Sequence, residues 1–266
     1  MITDQIIAAA ETAEANSTPK KENKENRETV IKVINLRKVY RIGKEKVVAL
    51  DNINIEIKKG EICCILGTSG CGKSTLLNML AGLEKPTRGD IIINKSKVNK
   101  LSEKKLAVFR QKYIGFIFQS YNLIPTLTAE ENVALPLVFR RMRKKTRTQS
   151  SANMLKLVGL GDRLRHKPTQ MSGGQQQRVG IARAFVAKPA VVFADEPTGN
   201  LDSRTTIEVM LLMLKIARDN NQTLVIVTHD NEIALYADRI IQLKDGAVIA
   251  DYAPEKPDAE TNSENK

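Results

Sequence analysis

Residues 67–74 read Gly67-Thr68-Ser69-Gly70-Cys71-Gly72-Lys73-Ser74, the G-x-x-x-x-G-K-[ST] pattern of a phosphate-binding loop. No other feature restricts the fold so tightly, because such a loop works only between a buried strand and a helix. Both flanks have that character. Ile62-Cys63-Cys64-Ile65-Leu66 is a short apolar run, and Thr75-Leu76-Leu77-Asn78-Met79-Leu80-Ala81 reads as a helix closed by Gly82. Gly67 and Gly72 let the backbone curl until successive N–H groups face phosphate oxygens, while the helix adds its positive end. Lys73 is expected to reach the β- and γ-phosphates as a point charge, and the Ser74 hydroxyl to take one position on Mg²⁺. A plain strand-to-helix turn needs no Lys-Ser pair, so a nucleoside triphosphate is the expected ligand.

At 266 residues the chain suits one large α/β domain with a sizeable core. Residues 1–29 lack glycine and aromatics and are rich in Glu, Lys, Asn, Thr and Ala, which predicts a disordered polar tail. Asp4 and Glu11 argue against a secretory signal there. Residues 252–266 read as a second tail, leaving residues 30–251 as the expected domain. No run approaches the roughly 18 consecutive apolar residues of a membrane span, so any membrane role is expected to pass through a partner. Cys63, Cys64 and Cys71 lack paired C-x-x-C spacing and fit a reducing cytosol. The first two read as small apolar residues of a buried strand, and Cys71 as a loop position near the nucleotide. A net charge of +12 suits nucleic acid, an anionic membrane or a polyanionic ligand, and charge alone does not choose. The densest basic run, Arg140-Arg141-Met142-Arg143-Lys144-Lys145-Thr146-Arg147, has no aromatic residue on which a base could stack. It reads as a solvated, membrane-facing or partner-facing segment, and no nucleic acid is expected.

Ile53, Ile55 and Ile57 alternate with Asn52, Asn54, Glu56 and Lys58, a strand pattern that places an antiparallel layer ahead of the loop, with residues 90–94 contributing a further strand. Residues 120–169 turn helical, with Pro125, Pro136, Gly159 and Pro168 separating the segments, and read as an inserted helical lobe. Thr128-Ala129-Glu130-Glu131 has capping-box spacing. Val191-Val192-Phe193-Ala194 and Leu224-Val225-Ile226-Val227 are continuous apolar runs, as in parallel strands covered on both faces. Between them lies a helix, with Ser203 as its expected cap and Met210, Leu211 and Leu214 pointing inward. Residues 239–249 read as a hairpin around Asp245-Gly246.

In an open parallel sheet, ligands collect beyond the carboxyl ends of the strands. One such end carries the phosphate loop. A second carries Asp195-Glu196, read as a metal ligand followed by a general base. The third carries Thr228-His229-Asp230, where His229 can contact the γ-phosphate and hold the attacking water. Ser172-Gly173-Gly174-Gln175 places small residues before another helix, a second anion-binding terminus. Since one triphosphate tail already has its cradle, this terminus is expected to serve a nucleotide held by another subunit, although the same turn is also a good ordinary N-cap.

Together these residues resemble the ATP-binding subunit of an ABC (ATP-binding cassette) transporter over nearly all of residues 30–251. The resemblance rests on Gly67 through Ser74 and Thr75, Gln119 after Phe116-Ile117-Phe118, Met171-Ser172-Gly173-Gly174-Gln175, Asp195-Glu196, Asn200-Leu201-Asp202 and His229, in the family's order. Met171 stands where leucine is usual, a near volume-conserving exchange. It implies a P-loop ATPase fold: a mainly parallel sheet flanked by helices, with an N-terminal antiparallel layer and an inserted helical subdomain. It further implies ATP and Mg²⁺ as cofactors, hydrolysis to ADP and phosphate, and two copies pairing head to tail around ATP. Tyr40 matches the residue that stacks on adenine, and Gln119 the one linking the γ-phosphate and Mg²⁺ to the helical lobe. Asp202 matches the residue that contacts the opposite copy's loop. Residues 113–125 and Glu131-Asn132-Val133 resemble the macrolide-exporter and lipoprotein-releasing (MacB/LolD) group, which exports or extracts amphiphilic substrates. Separate integral membrane permease subunits and a peripheral place on the cytoplasmic face of the membrane follow from that resemblance. A regulatory ATPase acting on a cell-division membrane partner would share the same machinery.

Overall fold

The structure is a computed structural model that describes residues 27–255, so the expected tails lie mostly outside the described residues. Strands β1 (Thr29–Ile42) and β2 (Glu45–Lys58) form a long hairpin. With β4 (Arg88–Ile93) and β5 (Ser96–Lys97) they make an antiparallel sheet in the order β2-β1-β4-β5. The second sheet contains β3 (Ile62–Leu66), β6 (Ile114–Ile117), β7 (Val191–Asp195) and β8 (Thr223–Thr228). It is completed by the hairpin β9 (Arg239–Lys244) and β10 (Ala247–Tyr252), in the order β10-β9-β3-β8-β7-β6. Every pairing in it is parallel except β9 with β10.

Apolar continuity in β3 and β8 has a direct physical cause: successive side chains point to opposite faces, and both faces are covered. Cys63 and Ile65 face the antiparallel layer together with helix α1 (Lys73–Leu80) and helix α2 (Glu103–Tyr113). Ile62, Cys64 and Leu66 face the helices of the other side, α3 (Ala129–Phe139), α4 (Lys144–Leu157), α5 (Gly173–Phe185) and α6 (Ser203–Asp219). Burying each large aliphatic side chain contributes about 1.5–3 kcal/mol, and every residue of β3 is buried, so both faces of the strand contribute. The short helix α7 (Asn231–Ala234) follows β8.

Several sequence expectations need correction. Helix α2 shows little apolar periodicity in sequence, because only Leu106 and Phe109 of its residues are buried and the rest are largely charged. Pro136 does not separate segments: α3 continues through it to Phe139, held by the buried Val133, Ala134 and Leu137. The cap of α6 is Asp202, not Ser203, with the Thr205 N–H donating to its carboxylate at 3.0 Å. Leu211 is only partly buried, whereas Met210, Met213 and Leu214 lie in the core. The basic run is also not uniformly solvated. Arg140 turns inward and its guanidinium donates to the carbonyls of Gln111 (2.9 Å), Lys112 (2.7 Å) and Ala187 (2.5 Å), tying the lobe to the core.

Candidate active site

Strand register brings the chemistry together. Ile117 pairs with Ala194, Asp195 with Val227, and Leu66 with Thr228, so the carboxyl ends of β6, β7, β8 and β3 stand side by side. The segments leaving them carry Gln119, Asp195-Glu196, His229 and the phosphate loop.

The loop is closed by Gly67 N–H donating to the Thr228 carbonyl at 3.3 Å and Cys71 N–H donating to the Thr68 carbonyl at 3.3 Å. Gly72 has φ +104°, and a side chain on Gly67 would place its Cβ 2.4 Å from the Leu243 carbonyl oxygen. Glycine is required at both. Lys73 arches back over the loop, Nζ donating to the carbonyls of Gly67 (2.8 Å) and Thr68 (2.9 Å). Thr68, Ser69, Gly70 and Ser74 are exposed and Thr75 is half-buried. Helix α1 begins with no side-chain cap and no acid in its first turn, so its first N–H groups and positive end are open to an anion. Cys71 lies in the loop, as expected. Its side chain is buried, with Sγ against Gly67, which leaves only its backbone for a nucleotide. Burial raises the Cys63 thiol and pushes Cys64 up to about 12, so neither is a thiolate at neutral pH.

Glu196 sits at φ +44°, a left-handed conformation rare for a residue with a side chain, and costs about 1 kcal/mol or more. The turn is anchored by the Glu196 N–H donating to the Val227 carbonyl at 2.9 Å. His229 Nδ1 lies 2.9 and 3.0 Å from the Glu196 carboxylate oxygens, and the Thr228 hydroxyl donates to the same carboxylate at 3.3 Å. Thr228 belongs to the third strand end named from the sequence, where only His229 carries a role, and its contact with Glu196 appears only in the structure.

Asp195 is different. Burial first, and then the charge of Glu196, raise its pKa above the ordinary value, while Lys73 pulls the other way. Its buried Oδ1 has no hydrogen-bond partner among the described residues. An orphaned carboxylate oxygen beside an open phosphate cradle fits Mg²⁺, which takes one or two protein oxygens and fills its shell with phosphate and water. No group of three or more His, Cys, Asp and Glu among the described residues offers an all-protein cage instead.

Gln119 lies over Gly199, and its carbonyl accepts a hydrogen bond from the Asn200 side chain at 3.0 Å. Arg183 on α5 donates to the carbonyls of Tyr121 (2.8 Å) and Asn122 (2.5 Å), fixing the segment after Gln119. Ser172-Gly173-Gly174-Gln175 forms a capping box: Gln175 N–H donates to Ser172 Oγ at 3.3 Å, and Ser172 N–H to Gln175 Oε1 at 3.1 Å. It packs against Tyr121 and Thr205. Asp202 is engaged with Thr205 within its own helix, and those bonds hold its pKa below the usual carboxylate range. The Tyr40 hydroxyl donates to Glu84 Oε2 at 2.7 Å.

The family described as "ABC transporter" matches residues 50–199. An uncharacterised ABC transporter ATP-binding protein of Methanocaldococcus jannaschii is 49% identical over 220 residues, covering 83% of this chain and 98% of that protein. The macrolide export ATP-binding/permease protein MacB of Vibrio parahaemolyticus is 47% identical over 224 residues, 84% of this chain but 34% of MacB. Among solved structures, a dimeric, post-hydrolysis ATP-binding cassette bound to ADP and Pi superposes with a TM-score of 0.78 at 44% identity, covering 85% of this chain and 99% of the other. Fold, strand-end chemistry and this likeness agree: the chain belongs to the ABC transporter family, as an ATP-binding cassette that hydrolyses ATP to drive transport.

Proposed function

We propose that residues 30–251 act as one ATP-binding domain, with residues 120–169 as its helical lobe. Two copies would close head to tail on ATP and drive integral membrane permease subunits from the cytoplasmic face. The observation that carries the reading is the meeting of an open phosphate cradle with Asp195, Glu196 and His229 on neighbouring strand ends.

In this reading residues 67–75 hold the phosphates through the loop N–H groups not already bonded within the protein, Lys73 swings from its loop carbonyls onto the β- and γ-phosphates, and Tyr40 stacks on adenine. Ser74, Gln119 and Asp195 would hold Mg²⁺, which neutralises charge on the phosphates when bound. Glu196, oriented by His229 and Thr228, takes the proton of the attacking water. Ser172, Gly173, Gly174 and Gln175 of the second copy cover the γ-phosphate, and Asp202 contacts the partner's loop. Likeness to macrolide export proteins supports export or extraction of an amphiphile. No helix among the described residues is long and apolar enough to cross a membrane, which supports a peripheral cassette with membrane-spanning partners.

Glu196→Gln tests the reading. It should keep ATP affinity within about threefold and lower turnover by about 100-fold or more, since only the base is lost. Equilibrium ATP binding and steady-state phosphate release measure the two, and wild-type turnover would remove Glu196 from its role.

A further inference from the structure

Tyr40 stands outside the phosphate loop, yet its ring is held by groups that the reading above leaves unused. Its hydroxyl donates to Glu84 Oε2 at 2.7 Å, and the other oxygen of that carboxylate, Oε1, lies 2.7 Å from Lys38 Nζ. The same ammonium donates to the Lys85 carbonyl at 2.9 Å and sits 4.9 Å from the centre of the Tyr40 ring. Lys38 and Tyr40 are two residues apart on β1, so their side chains share a face of the strand. Glu84 comes from another element, the turn that closes α1, where the N–H groups of Leu83 and Glu84 donate to the Asn78 carbonyl at 2.8 and 3.3 Å. The carboxylate is thus a clamp between the antiparallel layer and the helix that begins at the phosphate loop. Lys38 and Glu84 are only partly exposed, at 13% and 30%, which makes this pair less screened than the ordinary surface ion pair.

We propose that Glu84 and Lys38 are positioning residues for the nucleotide base: they fix the Tyr40 ring at a set distance from the phosphate loop so that adenine stacks without first ordering it. The inference rests on Tyr40 being the base platform. An aromatic ring immobilised before binding loses no rotamer freedom on binding, and a pinned hydroxyl restricts both torsions of the side chain. Lys38 occupies one ring face as a cation–π contact, which leaves the opposite face for the base. The clamp therefore affects the part of affinity that depends on the base and leaves the part that depends on phosphate.

Competition against a labelled ATP analogue separates the two, with ATP and inorganic tripolyphosphate as the paired probes and Mg²⁺ present throughout. Tyr40→Phe keeps the ring and removes only the hydroxyl. It should weaken ATP by about three- to tenfold while leaving tripolyphosphate unchanged. Glu84→Ala removes the same hydroxyl contact and the Lys38 ion pair as well, so it should weaken ATP at least as much, and the double variant should be no worse than Glu84→Ala alone, because Tyr40→Phe then takes away no further contact with the clamp. Thermal melting checks that each variant is folded, and Tyr40→Phe keeps the test decisive if Glu84→Ala is not. Tyr40→Ala serves as the control for the underlying reading. If it lowers the preference for ATP over tripolyphosphate while Tyr40→Phe and Glu84→Ala do not, the clamp is wrong and the base platform stands. If Tyr40→Ala leaves the preference unchanged, the platform reading falls and the clamp with it.

Discussion

Asp195 and Glu196 are adjacent carboxylates in opposite circumstances. Glu196 is held by His229 and Thr228, whereas Asp195 has one buried oxygen with no partner and a raised pKa. A folded-state pKa above the unfolded one means that the folded protein binds the proton more readily, so ionised Asp195 reduces stability at neutral pH. That penalty fades as pH falls through the raised value towards the ordinary value of 3.8. Asp195→Asn should therefore melt higher than the wild type at pH 7, with the difference shrinking below that window, while ATP turnover is lost. Melting curves across pH check the first part, and an unchanged or lower melting temperature at pH 7 would show that Asp195 is not under electrostatic stress. Stability given up at a residue of this kind is common where a site must hold charge for a ligand. Residue types at this site are legible in sequence because phosphate and water chemistry demand them. Their distances are not, and neither is the orphaned oxygen.

At the scale of elements, the basic run divides into two behaviours. Arg140 donates to three backbone carbonyls drawn from the end of α2 and the segment after α5, so it acts as a staple between lobe and core. Arg143, Lys144 and Lys145 are exposed. Arg140→Ala should lower stability by about 2–3 kcal/mol, since charged hydrogen bonds are lost and half-buried carbonyls are left bare. Arg143→Glu should stay within about 0.5 kcal/mol of the wild type. Urea unfolding distinguishes them, and equal effects would mean that the staple is not holding the lobe. Sequence could not separate Arg140 from its neighbours, because what differs is which carbonyls come within reach. Capping was more readable: Thr128 and Glu131 meet as their spacing predicts, since a capping box is closed within one turn. Its misreading at Ser203 has the same locality, with the neighbouring Asp202 taking the amide because carboxylates accept more strongly.

For the whole molecule, the proposed composite site makes a prediction that no single chain can satisfy. Lys73→Ala spoils one copy's cradle, and Gly174→Asp spoils the terminus offered to the other, where any side chain meets Thr205 at 2.6 Å. Each variant alone should be inactive. Mixed, they form a dimer in which the intact cradle of one faces the intact terminus of the other, so ATPase activity should reappear. Phosphate release from the mixture measures it, and a mixture as inactive as its parts would argue against head-to-tail pairing. Glu196→Gln with ATP should run at dimer mass by light scattering and at monomer mass without nucleotide.

Sequence alone determined that this chain has a phosphate cradle, a parallel core beneath an antiparallel layer, and carboxylates at a strand end. Those properties arise from local geometry and from alternation along single elements, which neighbouring residues encode. Tertiary structure decided the rest. It turned Cys71 into core, Arg140 into a staple and Pro136 into a helix interior, and it joined Glu84 and Lys38 to Tyr40. Each of these depends on segments distant in sequence meeting in space, and no local pattern carries that information.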